Sequence, residues 1–213
     1  MNDERLLFDG KPVITFAEEQ DRRRFLRNAA LIGFGSSLVV SRWGDAVGLA
    51  NAQGGTSDLD ILQYALALEQ LEATFYTKGL AANLLSGREL ELVAPIQDHE
   101  RTHVVTFSAT IRDLGATPNP KPQFTFPSGT FSDRDTFLQT ASTFEELGVN
   151  AYHGQVANID SEAILAAAAS IAGVESRHAA ILADLIGGEP FPAPFEVGKP
   201  MSFVLDAADP FIA

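Results

Sequence analysis

Two of the four histidines in this chain stand three positions after a glutamate: Glu100 and His103 in "ERTH", Glu175 and His178 in "ESRH". With 14 Glu among 213 residues, two such hits among four His arise by accident at about 2 to 3% on a simple count, so the spacing carries information. Residues at i and i+3 share one face of a helix. A carboxylate and an imidazole so placed can reach a common point and hold one or two cations there. The second pair lies in "IAGVESRHAAILADLI", otherwise apolar, where a carboxylate without compensation costs on the order of several kcal/mol.

Two more segments supply matching acids. "EQLEATFY" places Tyr76 seven residues after Glu69, and "EELGVNAY" places Tyr152 seven after Glu145. Seven residues is nearly two helical turns, so each Glu shares a face with its Tyr. The set then repeats along the chain. Glu69 to Glu145 and Tyr76 to Tyr152 are each 76 residues, while Glu100 to Glu175 and His103 to His178 are each 75. Four buried Glu have only two His to neutralise them, whereas a pair of dications balances the charge directly. Glu72 and Glu146 are the alternates to Glu69 and Glu145, and the shared repeat with the tyrosines favours the latter pair. Tyr76 and Tyr152 either hydrogen-bond the ligating carboxylates and carry oxidising equivalents, or simply pack with one acceptor each. His99 and His153 fall outside the repeat and read as surface or core-packing histidines.

The elements that must carry these residues are helices. From Ser57 onward apolar residues recur at helical spacing, and the predicted helices span about 57–85, 88–114, 132–157 and 160–186. Ser57 caps the first, Ser86 and Gly87 close it, Ser132 with Asp135 opens the third, and Gly187 with Gly188 ends the fourth. Pro95 either marks the start of the second helix or kinks it. Residues 115–131, "GATPNPKPQFTFPSGTF", hold four prolines and two glycines and form an extended connection. Helices of about 25 residues are on the order of 35 to 40 Å long, a length the connection can cover at about 3.3 Å per residue, so helices 2 and 3 can run parallel. The expected fold is all-α, a four-helix bundle with a long crossover between helices 2 and 3. An irregular Pro-rich tail, 187–213, follows, with a short helix near 202–208.

Composition narrows the chemistry. The chain has no Cys, which removes disulfides, thiolate catalysis and Cys-ligated metal. The net charge of -13 falls wholly after residue 52, where 8 Lys and Arg face 21 Asp and Glu. An acidic body argues against nucleic acid as a partner and suits cations. Four carboxylates and two imidazoles without sulfur favour two Fe or two Mn ions over structural zinc.

The N-terminal segment reads as an address. "RRRFLRNAALIGFGSSLVV", from Arg22, joins a basic cluster to an apolar run of about twelve residues, short of the ~20 that span a bilayer. Ala50 and Ala52 flank Asn51 in a signal-peptidase arrangement, which divides the chain into a leader, 1–52, and a bundle domain, 53–213. Arg22 to Arg27 resembles a twin-arginine signal. That resemblance implies the twin-arginine export machinery as a partner and a periplasmic or secreted location; the alternative is membrane anchoring by an uncleaved leader.

The duplicated motifs resemble the ferritin-like di-metal carboxylate proteins. "LALEQLEATFY", "HERTH" and the tail ending "ADPFIA" look, more narrowly, like the secreted, desiccation-related members. The resemblance implies that Glu100 and Glu175 bridge two metals, that Glu69 and Glu145 are terminal ligands, and that His103 and His178 each complete one metal. The function implied is a di-metal oxidoreductase, with oxidase, peroxidase or catalase-like reaction toward oxygen or peroxide in stress protection. The alternatives are a non-enzymatic stress or desiccation-related binding protein and iron storage, the last requiring a hollow homo-oligomer.

Overall fold

The computed structural model describes residues 56–213; the expected leader, 1–52, lies outside the described residues. Five α-helices follow one another: α1 (Asp58–Ala81), α2 (Gly87–Asp113), α3 (Arg134–Gln155), α4 (Glu162–Leu185) and the short α5 (Met201–Ala208). Among the described residues, one 3-10 turn, Asp209–Phe211, follows α5. No helix among the described residues is long and apolar enough to cross a membrane.

Local chemistry sets most helix ends. Ser57 and Asp60 form a reciprocal capping box at α1, which satisfies two amide groups that the first turn leaves free. Asp58 then reaches across to accept from the backbone N–H groups of Asp160 and Ser161 at 2.8 and 2.9 Å, tying the start of α1 to that of α4. Gly187 at φ +73° closes α4, and the Gly188 N–H donates to Ala183 O at 2.7 Å. This is the left-handed stop expected there.

Three boundaries differ from expectation. α1 ends at Ala81, not near residue 85, because Asn83 turns left-handed at φ 56°, a conformation Asn tolerates. Ser86 and Gly87 consequently open α2 instead of closing α1. α2 itself runs through Pro95, in keeping with the predicted span 88–114; the proline lies on the exposed side. At α3 the cap is Asp133, not Ser132, and it accepts from Thr136 N at 2.8 Å and Thr136 Oγ1 at 2.6 Å.

α1 packs on α2 and α3 on α4 as two hairpins, which meet through α1 against α3 and α2 against α4. Two tyrosines give the direction: Tyr152 bonds Glu69 and Tyr76 bonds Glu145. Residue numbers rise on α1 as they fall on α3, so these helices are antiparallel. α2 is antiparallel to α1 through its short hairpin, hence parallel to α3. That relation requires the long connection between Asp113 and Arg134, which runs extended and pairs with the C-terminus. Thr125 N donates to Phe211 O and Ala213 N to Gln123 O, both at 2.9 Å.

Below the polar residues lies an aromatic core. Phe75 stacks on Phe137 with centroids 4.9 Å apart and meets Phe144 edge-on at 5.0 Å. Gly79 admits that arrangement, since a Cβ there would lie 2.0 Å from Phe137 Cε2. The tail lies on α3 in the same manner: Lys199 N donates to Asn150 O at 2.9 Å, and Gly154 leaves room for Lys199 O.

Candidate metal centre

All six residues of the duplicated set point into the centre of the bundle. Glu69 is 1% exposed, Glu100, Glu145 and Glu175 are 0%, and His103 and His178 are 8% and 4%. His103 Nδ1 faces Glu69 Oε2 and Glu100 Oε2 at 3.1 Å and Glu175 Oε1 at 3.3 Å. His178 Nδ1 faces Glu145 Oε2 at 3.1 Å, Glu100 Oε1 at 3.2 Å and Glu175 Oε2 at 3.8 Å. Glu100 and Glu175 therefore each span the two imidazoles, one oxygen to each. Glu69 and Glu145 belong to one imidazole apiece.

Two overlapping clusters result: Glu69, Glu100, His103 and Glu175, and Glu100, Glu145, Glu175 and His178, each with ligand atoms within 4.8 Å of one another. The shared members are Glu100 and Glu175. Their oxygens also bear on whether two cations fit. Glu100 Oε1 and both Glu175 oxygens are buried without a hydrogen bond, and a buried acceptor left so is costly unless something else compensates it. A hard, oxygen-seeking cation at each cluster does so.

The profile of the ferritin-like domain family matches residues 57–188. The chain belongs to the ferritin-like family. No curated relative matches it.

Within this ferritin-like site the tyrosines act across the halves. Each Tyr shares a helix face with the Glu seven residues before it, yet it bonds the Glu of the other half, because α1 and α3 are antiparallel. Tyr76 donates to Glu145 Oε1 at 2.5 Å, and Tyr152 donates to Glu69 Oε1. Each terminal carboxylate thus has one oxygen held by a phenol and the other turned to an imidazole. Burial, then the neighbouring carboxylates, push both phenols well above 10, so they stay protonated donors.

Without metal, protons balance the cage. Burial works against charge on His103, but hydrogen bonds with Glu100 and Glu69 outweigh it and raise the imidazole to about 10. Burial is likewise overcome at His178, which Glu100, Glu145 and Glu175 raise to about 12. The reverse balance holds for Glu100: burial would raise it, and the facing imidazoles of His103 and His178 bring it down to about 2. Burial raises Glu69 to about 8 and Glu175 well above the ordinary range. Four ionised acids would call for a cation pair. The fold shows that protonation of carboxyls and imidazoles is the other way to balance the same core.

The alternates separate clearly. Glu146 is exposed on the outer side of α3. Glu72 is buried, 4% exposed, just outside both clusters. Its Oε1 and Glu175 Oε2 converge on Gly148, where a Cβ would lie 3.4 and 3.3 Å from them. Burial, then the surrounding glutamates, raise its carboxyl well above the usual range. Glu72 also borders an apolar cavity of about 50 Å³, along with Glu69, Tyr152, Phe107 and Ile171.

One residue read from sequence as peripheral touches the site. His99 Nδ1 lies 2.8 Å from His178 Nε2. Burial and the neighbouring His178 lower the His99 imidazole from its ordinary value; with His178 Nδ1 given to the carboxylate side, a cation there leaves the ring hydrogen on Nε2, which donates to His99 Nδ1. The signal was its position four residues before His103, one turn earlier on the same face. His99 also lines a cavity of about 480 Å³ with Arg177, Thr102, Pro95 and Val174. His153 is apart from the cage, with Nε2 buried and without a hydrogen bond.

Proposed function

We propose that this ferritin-like protein is exported and holds two iron or manganese ions that react with oxygen or peroxide in stress protection. The observation that carries the reading is the pair Glu100 and Glu175, whose oxygens reach both imidazoles and are buried largely without hydrogen bonds. Glu69 and His103 would complete one ion, Glu145 and His178 the other. Two redox metals held side by side supply paired electrons for reducing a small oxidant.

The protein's own residues do the rest. Tyr76 and Tyr152 fix the two terminal carboxylates through one oxygen each, leaving the other oriented inward. The buried helices exclude bulk water, while the two cavities, one apolar and small, one wider and beside His99, admit molecules of oxidant size. Glu72, whose carboxyl burial raises well above the usual range, stands beside Glu175 as a group that can give or take a proton at Oε1. Export by the twin-arginine route is supported by the leader residues Arg22 to Arg27.

The test is metal quantification on protein purified from its native compartment, with an optical spectrum before and after peroxide. About two Fe or Mn per chain and a spectral change on peroxide are expected. Less than about one metal per chain, after growth with ample iron and manganese, would sink the reading. Cell fractionation with Arg22 and Arg23 replaced by Lys checks export; an unchanged location removes it.

A further inference from the structure

We propose that His99 is a positioning residue for His178, and that it makes the metal position of Glu100, Glu145, Glu175 and His178 the tighter of the two. The inference rests on the di-metal reading above. Its basis is the contact between His99 Nδ1 and His178 Nε2 at 2.8 Å. The rings lie 12° apart in plane with centroids at 5.1 Å. That separation is the N to N distance plus one ring radius at each end, so the rings meet edge to edge in nearly one plane and the hydrogen bond is close to linear. Face-to-face stacking does not produce such a short contact between nitrogens.

A linear bond of this kind fixes two properties of a histidine ligand. With Nδ1 as the ligand atom, the hydrogen of His178 lies on Nε2, where His99 Nδ1 accepts it, and the bond sets the ring rotation so that Nδ1 points at Glu100, Glu145 and Glu175. The partner of the outer nitrogen decides which nitrogen is free to bind metal. His103 has its Nδ1 turned to the carboxylates in the same way, but its Nε2 makes no hydrogen bond among the described residues.

The difference follows from the repeat. Glu100 and His103 recur after 75 residues as Glu175 and His178, and by the same offset His99 recurs as Val174, which has no nitrogen to offer. Val174 and His103 line one cavity with His99 and His178. Two halves that match in every ligand are thus unequal in the residue behind the ligand. His99 is exposed on its outer side, so replacing it leaves the core intact.

The probe is Mn2+ alone, titrated into the full chain and followed by electron paramagnetic resonance, for wild type, His99→Leu and His99→Gln. Wild type should take up two ions and show the signature of a coupled pair. His99→Leu should weaken one of the two ions by about 10- to 100-fold, leaving the six-line spectrum of an isolated ion at one equivalent. His99→Gln, whose side-chain oxygen can accept from His178 Nε2, should recover most of the loss. Equal affinities in His99→Leu and wild type, or an equal weakening of both ions, would overturn the proposal while leaving the di-metal reading standing. A folded wild type that takes up fewer than two ions would overturn that reading, and this proposal with it.

Discussion

Loading the cage with metal should expel protons, and their number follows from the geometry. At pH 7 the imidazoles of His103 and His178, raised to about 10 and about 12, carry a proton on the Nδ1 that faces the carboxylates. Glu69, raised to about 8, and Glu175, which burial raises well above the ordinary carboxyl range, favour the protonated form as well. All four must be given up before these groups can bind a cation. Two divalent ions entering against about four protons leaving keeps the charge of the dry core constant, which is why both forms are tolerable there. Linkage then requires the affinity for the pair to rise by about four decades per pH unit near neutrality, or about two decades per ion. Isothermal titration calorimetry with Mn2+ at pH 7, in buffers of different ionisation enthalpy, counts the protons directly. Release of fewer than about one proton per ion, or an affinity flat from about pH 6 to 8, would refute the proton-balanced cage.

The metal-free protein should also show the linkage in its stability. His103 and His178 contribute fully below their unfolded value of 6.5 and lose that contribution as pH rises through about 10 and about 12, while Glu69 loses its share between 4.5 and about 8. Glu100, lowered to about 2, acts oppositely: its contribution is present above 4.5 and vanishes as pH falls through about 2. The metal-free melting temperature is therefore expected to fall from about pH 5 to 10, and bound Mn2+ should flatten that slope in a calorimetric scan. Tyr76→Phe should weaken the ion beside Glu145 and His178, and Tyr152→Phe the ion beside Glu69 and His103, each by about tenfold or more in a metal titration; the opposite assignment would contradict the crossed bonds. Gly79→Ala should cost about 1 to 3 kcal/mol by forcing a methyl into the Phe137 ring, lowering the melting temperature by about 2 to 4 °C per kcal/mol. An unchanged melt would mean that Phe137 can move aside.

Much of the site was legible in the sequence because its decisive relations are local. A helix fixes the faces of residues three and seven apart, so Glu100 with His103 and Glu175 with His178 could be placed together without knowing what surrounds them. The duplication added the second half, and the prolines of 115–131 marked the crossover. Helix ends were less secure, since the stretch 82–87 offers Asn, Ser and Gly as competing stops, and the left-handed turn at Asn83 was the one adopted.

Relations between helices lay beyond that local rule. The antiparallel approach of α1 and α3 gave Tyr76 to Glu145 and Tyr152 to Glu69, although each tyrosine shares its own helix face with the other glutamate. Rotation of the helices about their axes buried Glu72 beside Gly148 and left Glu146 in solvent. His99 acquired its contact only because α4 brings His178 within 2.8 Å of it. Which side chains share a helix face follows from the order of residues alone, because backbone geometry repeats every turn. The partner each one meets across the core was decided by how four helices pack, and no single helix contains that information.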